Sequence, residues 1–142
     1  MQKACISRFE GSKVVIDQFW RLCEDAHRLA ETTVFSNERE PSFVPILNFV
    51  KEHPEHREAL AYCFMTLFHC DDLGPYEIIE YCMRELRWQE VHDYFAGIAS
   101  VTPDINWRAV AKRLLEAYYD PWPSAGIYER YPLPESQQAV RA

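Results

Sequence analysis

The stretch Leu60-Ala61-Tyr62-Cys63-Phe64-Met65-Thr66-Leu67-Phe68 is the most hydrophobic in the chain. Its apolar residues lie almost all round a 3.6-residue period, with Leu60, Cys63, Phe64 and Leu67 as the main stripe, so it reads as the central helix of a packed domain. No segment of the chain shows a convincing period of two, the mark of a half-buried strand. Pro54 can occupy the first helical position, which predicts a helix over 54–70. Upstream, Phe43, Ile46, Leu47 and Val50 predict a helix over 42–53, with Pro45 tolerated in its opening turn. Downstream, Asp71-Asp72-Leu73-Gly74-Pro75 is a turn, and Ile78, Ile79, Cys82, Met83 and Leu86 predict a helix over 75–87. Val91, Tyr94, Phe95 and Ile98 predict another over 89–100. Asn106 caps a last one through Tyr119, carried by Trp107, Val110, Ala111, Leu114 and Leu115. At the N-terminal side Ser12 caps a helix over 12–32 on Val15, Phe19, Leu22, Ala26 and Leu29. Between it and Ser42, the polar run Ser36-Asn37-Glu38-Arg39-Glu40-Pro41 predicts a loop.

The expected fold class is therefore all-α, about six helices in antiparallel pairs, in one domain over 1–142. Its parts are an N-terminal helix within 1–35, helical hairpins over 42–119 and an extended proline and aromatic tail over 120–142. A chain of 142 residues can bury roughly 70% of its unfolded surface, so a single core suffices. A hydrophobic content of 48% excludes disorder, and no apolar run approaches the ~20 residues of a membrane span. The first residues, Met1-Gln2-Lys3-Ala4-Cys5-Ile6-Ser7-Arg8, lack the pattern of a signal peptide. Five cysteines, an odd number, with four inside apolar helical patterns, point to free thiols and a reducing, cytoplasmic setting.

An internal correspondence appears at a shift of thirty-two positions. Ile46-Leu47-Asn48-Phe49 falls over Ile78-Ile79-Glu80-Tyr81. Arg57-Glu58-Ala59 with Tyr62-Cys63 falls over Gln89-Glu90-Val91 with Tyr94-Phe95. The same shift sets Val110 and Leu114 beneath Ile78 and Cys82. Over residues 42–119 the pattern resembles the two-helix units of HEAT-like and other α-solenoid repeats. That resemblance implies stacked helical pairs; an irregular helical bundle is the alternative architecture.

Constellations for chemistry are sparse. His53, His56, His69, Cys70, Asp71 and Asp72 are metal-ligating types, but neither C-x-x-C nor H-E-x-x-H spacing is present, and no metal or other cofactor is expected. Glu24-Asp25-Ala26-His27 is a Glu-x-x-His without the second copy that a di-iron bundle requires. There is no Gly-x-Ser-x-Gly elbow and no glycine-rich phosphate loop, and Cys63, Cys70 and Cys82 read as packing.

Charge carries more information. The formal net charge is -7, and residues 1–35 and 121–142 are each balanced, so the excess of acid lies between Ser36 and Asp120. Nucleic acid and membrane surfaces are not expected as partners; a basic protein is. Glu52, Glu55, Glu58, Asp71, Asp72, Glu77 and Glu80 are assigned to solvated helix faces that could merge into one acidic surface. Trp122, in the tail Tyr118–Pro134, either packs on its own domain, the favoured reading, or anchors the partner. The function this predicts is a non-catalytic binding protein of the kind that bacterial immunity or adaptor proteins represent. A small helical-bundle enzyme or ligand-binding protein, with its site assembled from distant helices, is the alternative.

Overall fold

A computed structural model describes residues 9–70 and 76–129. Its six α-helices are α1 (Lys13–Ala30), α2 (Ser36–Lys51), α3 (Arg57–Phe68), α4 (Glu77–Leu86), α5 (Gln89–Val101) and α6 (Ile105–Glu116), and the described residues contain no strand. Short 3-10 turns cover Pro54–His56 and Ala125–Ile127.

The sequential pairs α1–α2, α3–α4 and α5–α6 each pack together, α1 touches α3, and α3 touches α5. Likewise α2 touches α4 and α4 touches α6. The odd-numbered helices thus form one layer and the even-numbered helices another. The thirty-two-residue shift carries residues 45–51 of α2 onto 77–83 of α4, and α3 onto 89–100 of α5, each the next helix in its own layer. Equivalent positions are buried together: Leu47, Ile79 and Ala111 on the even layer, and Ala59 with Val91 on the odd one.

The core follows the predicted stripes. Phe19 and Trp20 of α1 meet edge-on, and Phe19 meets Phe64 of α3 edge-on at 5.1 Å between centroids. Leu60, Cys63, Phe64 and Leu67 are all buried. At about 25 cal/mol per Å² of apolar surface, each such side chain stabilises the fold by roughly 1.5–3 kcal/mol.

Three local departures have physical causes. The expected loop over 36–41 is the first turn and a half of α2. Pro41 and Pro45 lie one helical turn apart on an exposed face, so the carbonyls they leave without donors can reach water. Opposite them, Arg39 and Ser36 bond the Glu77 carboxylate, while on the prolines' own face Glu38 accepts from the Phe35 backbone N–H at 2.9 Å. The expected helix start at Pro54 is a 3-10 turn, with α3 proper beginning at Arg57. The cap of α6 is Asp104 instead of Asn106, its Oδ1 accepting from the backbone N–H groups of Asn106 and Trp107 at 2.9 and 3.1 Å. An acceptor at that position offsets the orphan donors of the first turn.

After α6 the chain turns back over the even layer. Tyr128 packs on Phe43 of α2 and Tyr81 of α4 and stacks with Trp122 at 5.6 Å. Arg84 of α4 holds the returning segment by donating to the carbonyls of Ala117 and Tyr119. The tail thus packs on its own domain as far as Glu129, while Tyr131, Leu133 and the remaining tail residues lie outside the described part.

Candidate functional site

The residues assigned to an acidic surface are divided by the fold. Glu52, Glu55 and Glu58 are exposed around the α2–α3 connection. Asp71 and Asp72 lie outside the described residues. Glu77 and Glu80, expected on a solvated face, are buried, Glu80 completely, and Trp122 is buried beside them. Helix α4 has almost no polar face to offer: Glu77 through Met83 are all buried, because α2, α3, α6 and the tail surround it.

The two glutamates belong to a polar network beneath the tail. Glu80 receives two hydrogen bonds from the Arg113 guanidinium, each 3.0 Å, and one from the Tyr128 hydroxyl at 2.7 Å. Arg113 also donates to the Tyr76 hydroxyl at 3.0 Å. On α2, buried Glu40 accepts from the Tyr81 hydroxyl and from the Glu129 backbone N–H, both at 2.8 Å. Burial pushes the Glu80 carboxyl above its ordinary range, with Arg113 and Tyr128 pulling it partly back. The same contact holds Arg113 more firmly protonated, and burial beside Glu80 raises Tyr128. Paired in this way, the network tethers α2, α4, α6 and the tail to one another. Glu40, Arg113 and Tyr81 were not singled out as site residues from the sequence, whereas Tyr128 is one of the tail aromatics expected to pack on the helices, and it is buried. A signal existed for Glu40, which precedes Phe43, Leu47 and Val50 at alternating steps of three and four and so shares their inward stripe.

The rings of His53 and His56 lie 6.3 Å apart, and each is held by a separate partner. His53 Nδ1 lies 2.8 Å from the Phe49 carbonyl, and His56 Nδ1 lies 2.7 Å from the Ser12 hydroxyl. His69 Nε2 meets the Tyr94 hydroxyl at 2.6 Å, and partial burial lowers the pKa of its ring. Among the described residues no three His, Cys, Asp or Glu side chains are grouped to hold a metal ion.

Cys23, Cys63 and Cys82 are fully buried, and Cys23 and Cys63 are free thiols. Burial pushes the Cys63 thiol up to about 12 and Cys23 well above its ordinary value. At pH 8 a thiol with that pKa is ionised to about one part in ten thousand. Labelling of Cys23 and Cys63 by a water-soluble disulfide reagent should therefore proceed only through unfolding, with a rate that rises with urea as the unfolded population rises. Rapid labelling of either residue in native buffer would contradict this burial.

Two surface features stand out among the described residues. On the odd layer a groove of about 350 Å³ is lined by Phe9, by Glu58, Ala61, Tyr62 and Met65 of α3 and by Glu90 of α5. Phe9 packs on Tyr62 at 5.6 Å. Glu90 is gripped by Arg57 through two hydrogen bonds of 2.8 and 2.9 Å, which hold its carboxyl below the usual range. At the start of α6, on the even layer, Trp107 packs on Phe68 of α3 at 4.9 Å and faces His69, which is held by Tyr94. Beside Trp107, Val101 and Ile105 are 78% and 76% exposed. Among the described residues no helix is long and apolar enough to cross a membrane. Comparison with protein-family models, with curated proteins and with solved structures found no match to this chain.

Proposed function

We propose that this protein is a non-catalytic binding module, a short array of stacked helical pairs whose odd layer receives a basic protein partner. The observation that carries the reading is the groove whose lining combines apolar Phe9, Ala61, Tyr62 and Met65 with the carboxylates of Glu58 and of Arg57-paired Glu90. Such a surface combines the apolar anchor and charged rim that protein interfaces use. Glu58 and Glu90 occupy equivalent places under the thirty-two-residue shift, as do Tyr62 and Tyr94, so repetition itself lays acids and aromatics in rows along one layer. That regularity supports a solenoid-like architecture, whose units characteristically combine into an extended binding face. Glu52 and Glu55 extend the negative rim toward the α2–α3 connection. A cytoplasmic protein of the immunity or adaptor type, which neutralises or tethers a basic domain, would use such a face. Its partner-binding residues are then Glu52, Glu55, Glu58, Tyr62 and Met65, with Glu77, Glu80 and Trp122 retained for the fold.

The test is affinity capture from the native host with the wild-type chain and with Met65→Lys and Glu58→Lys as baits. A basic protein retained by the wild type should bind roughly tenfold more weakly to Met65→Lys. Glu58→Lys should act mainly on association rate, and the wild-type rate should fall as salt rises. Equal retention by all three baits, or association indifferent to salt, would remove the groove from the reading.

A further inference from the structure

Three arginines of this chain lie over an aromatic ring and grip a carboxylate at the same time. Arg57 is 5.0 Å from the centroid of Trp88 and bonds Glu90. Arg84 is 5.7 Å from that of Trp122 and bonds Asp120. Arg113 is 5.3 Å from that of Tyr76 and bonds Glu80. In every case the ring and the acid come from the same short stretch of chain, within one helical turn of each other.

Trp107 and Asp104 repeat the ring-and-acid half of this arrangement at the start of α6, without the arginine. The indole is 38% exposed and is supported from below by Phe68 and His69. Asp104 Oδ1 accepts from the Trp107 backbone N–H, which fixes the carboxylate beside the root of that side chain. Among the described residues Asp104 Oδ2 has no partner and no arginine lies over the Trp107 ring. Arg108, the next residue, is committed elsewhere, donating to the Thr102 carbonyl at 2.7 Å.

We propose that Trp107 and Asp104 form a docking site for an arginine side chain of a basic protein partner, with the guanidinium over the indole and its N–H groups on Asp104. The proposal rests on the reading that the protein binds such a partner, and it adds a second anchor and a preferred residue. Arginine suits the place better than lysine because its planar fork stacks on a ring and pairs with a carboxylate together. The helix N-terminus, equivalent to about half a positive charge, opposes a cation there, and the full charge of Asp104 outweighs it. Exposed Val101 and Ile105 supply apolar contact for the residues flanking the arginine.

The site can be tested with a probe independently of any captured partner. In the ¹⁵N-labelled full chain, the indole N–H signal of Trp107 is assigned by its loss in Trp107→Leu. N-acetyl-arginine methylamide and its neutral, isosteric citrulline counterpart are then titrated. The arginine probe should move the Trp107 signal saturably, and citrulline at the same concentration should move it several-fold less. Asp104→Asn keeps the helix cap and should weaken the arginine response roughly two- to fivefold. An equal response to citrulline, or an arginine response unchanged by Asp104→Asn, would overturn the site. The two readings fail separately. If a basic partner is captured through the groove while Trp107 ignores arginine, this inference falls and the proposed function stands. If Trp107 responds to arginine but no basic partner is retained, the proposed function falls and with it the assignment of the arginine to a basic protein partner, while the recognition of arginine by Trp107 and Asp104 stands.

Discussion

Replacing Glu80 by Lys should cost at least about 3–5 kcal/mol of folding stability, the range for breaking a buried ion pair by removing one partner. The substitution places an ammonium beside the Arg113 guanidinium, in a position with no exposure to water, and removes the acceptor for Tyr128. Since small domains are stable by roughly 5–15 kcal/mol, a large part of the molecule's stability is at stake. A urea unfolding midpoint close to the wild-type value would contradict the buried network. Expected losses differ sharply between charge reversal and neutral replacement. Glu80→Gln keeps a hydrogen-bonding side chain of the same shape and should be much milder. It should also alter the pH dependence in a defined sense. Because burial raises the Glu80 pKa in the folded state, its ionisation costs stability, and that cost grows as pH rises from the ordinary carboxylate range through the raised folded value. Glu80→Gln should abolish this slope. Half-buried Glu90 and the exposed Asp93 and Asp120 act in the opposite direction, their depressed values making stability fall as pH drops below the ordinary carboxylate range.

Trp122→Ala should be nearly as severe, costing about 3–5 kcal/mol, the usual range for deleting a buried Trp side chain. Trp122 stacks on Tyr128 and carries Arg84 over its ring, so its loss opens a cavity between the tail and α4. The tail should loosen before the helical layers separate, because its described contacts run through Arg84, Tyr128 and the Glu129 backbone. Hydrogen exchange would show this as accelerated exchange of the Tyr128 and Glu129 amides, with α1 and α3 changing only in parallel with global stability. Unaltered thermal unfolding in Trp122→Ala would show that the ring is not buried in solution, and would return it to the list of partner-binding residues.

The contrast between these residues and the exposed acids explains what could be read in advance. Periodicity located α1, α4, α5 and α6 to within a few residues, because an amphipathic stripe is a local property and its spacing survives in the one-dimensional string. The same reasoning misplaced the start of α2. Five polar residues and a proline resemble a loop when nothing is known of what they face, yet Arg39 and Ser36 face Glu77, and Glu40 faces Tyr81. Their polarity is satisfied by partners some forty positions away. Glu80 was misassigned for the same reason. Its partners Arg113 and Tyr128 lie thirty-three and forty-eight positions further along the chain.

The helical class, the number of helices, the apolar stripes and the concentration of acid in the middle of the chain are properties of the sequence alone, since each depends on residue type and spacing over one or two turns. The two layers, the fold-back of the tail, the removal of Glu77 and Glu80 from the surface and the groove beside Glu58 were decided by tertiary structure. A charged side chain has no intrinsic inside or outside: desolvation opposes its burial, and only the simultaneous arrival of a guanidinium, a hydroxyl and a backbone N–H from distant segments offsets that penalty.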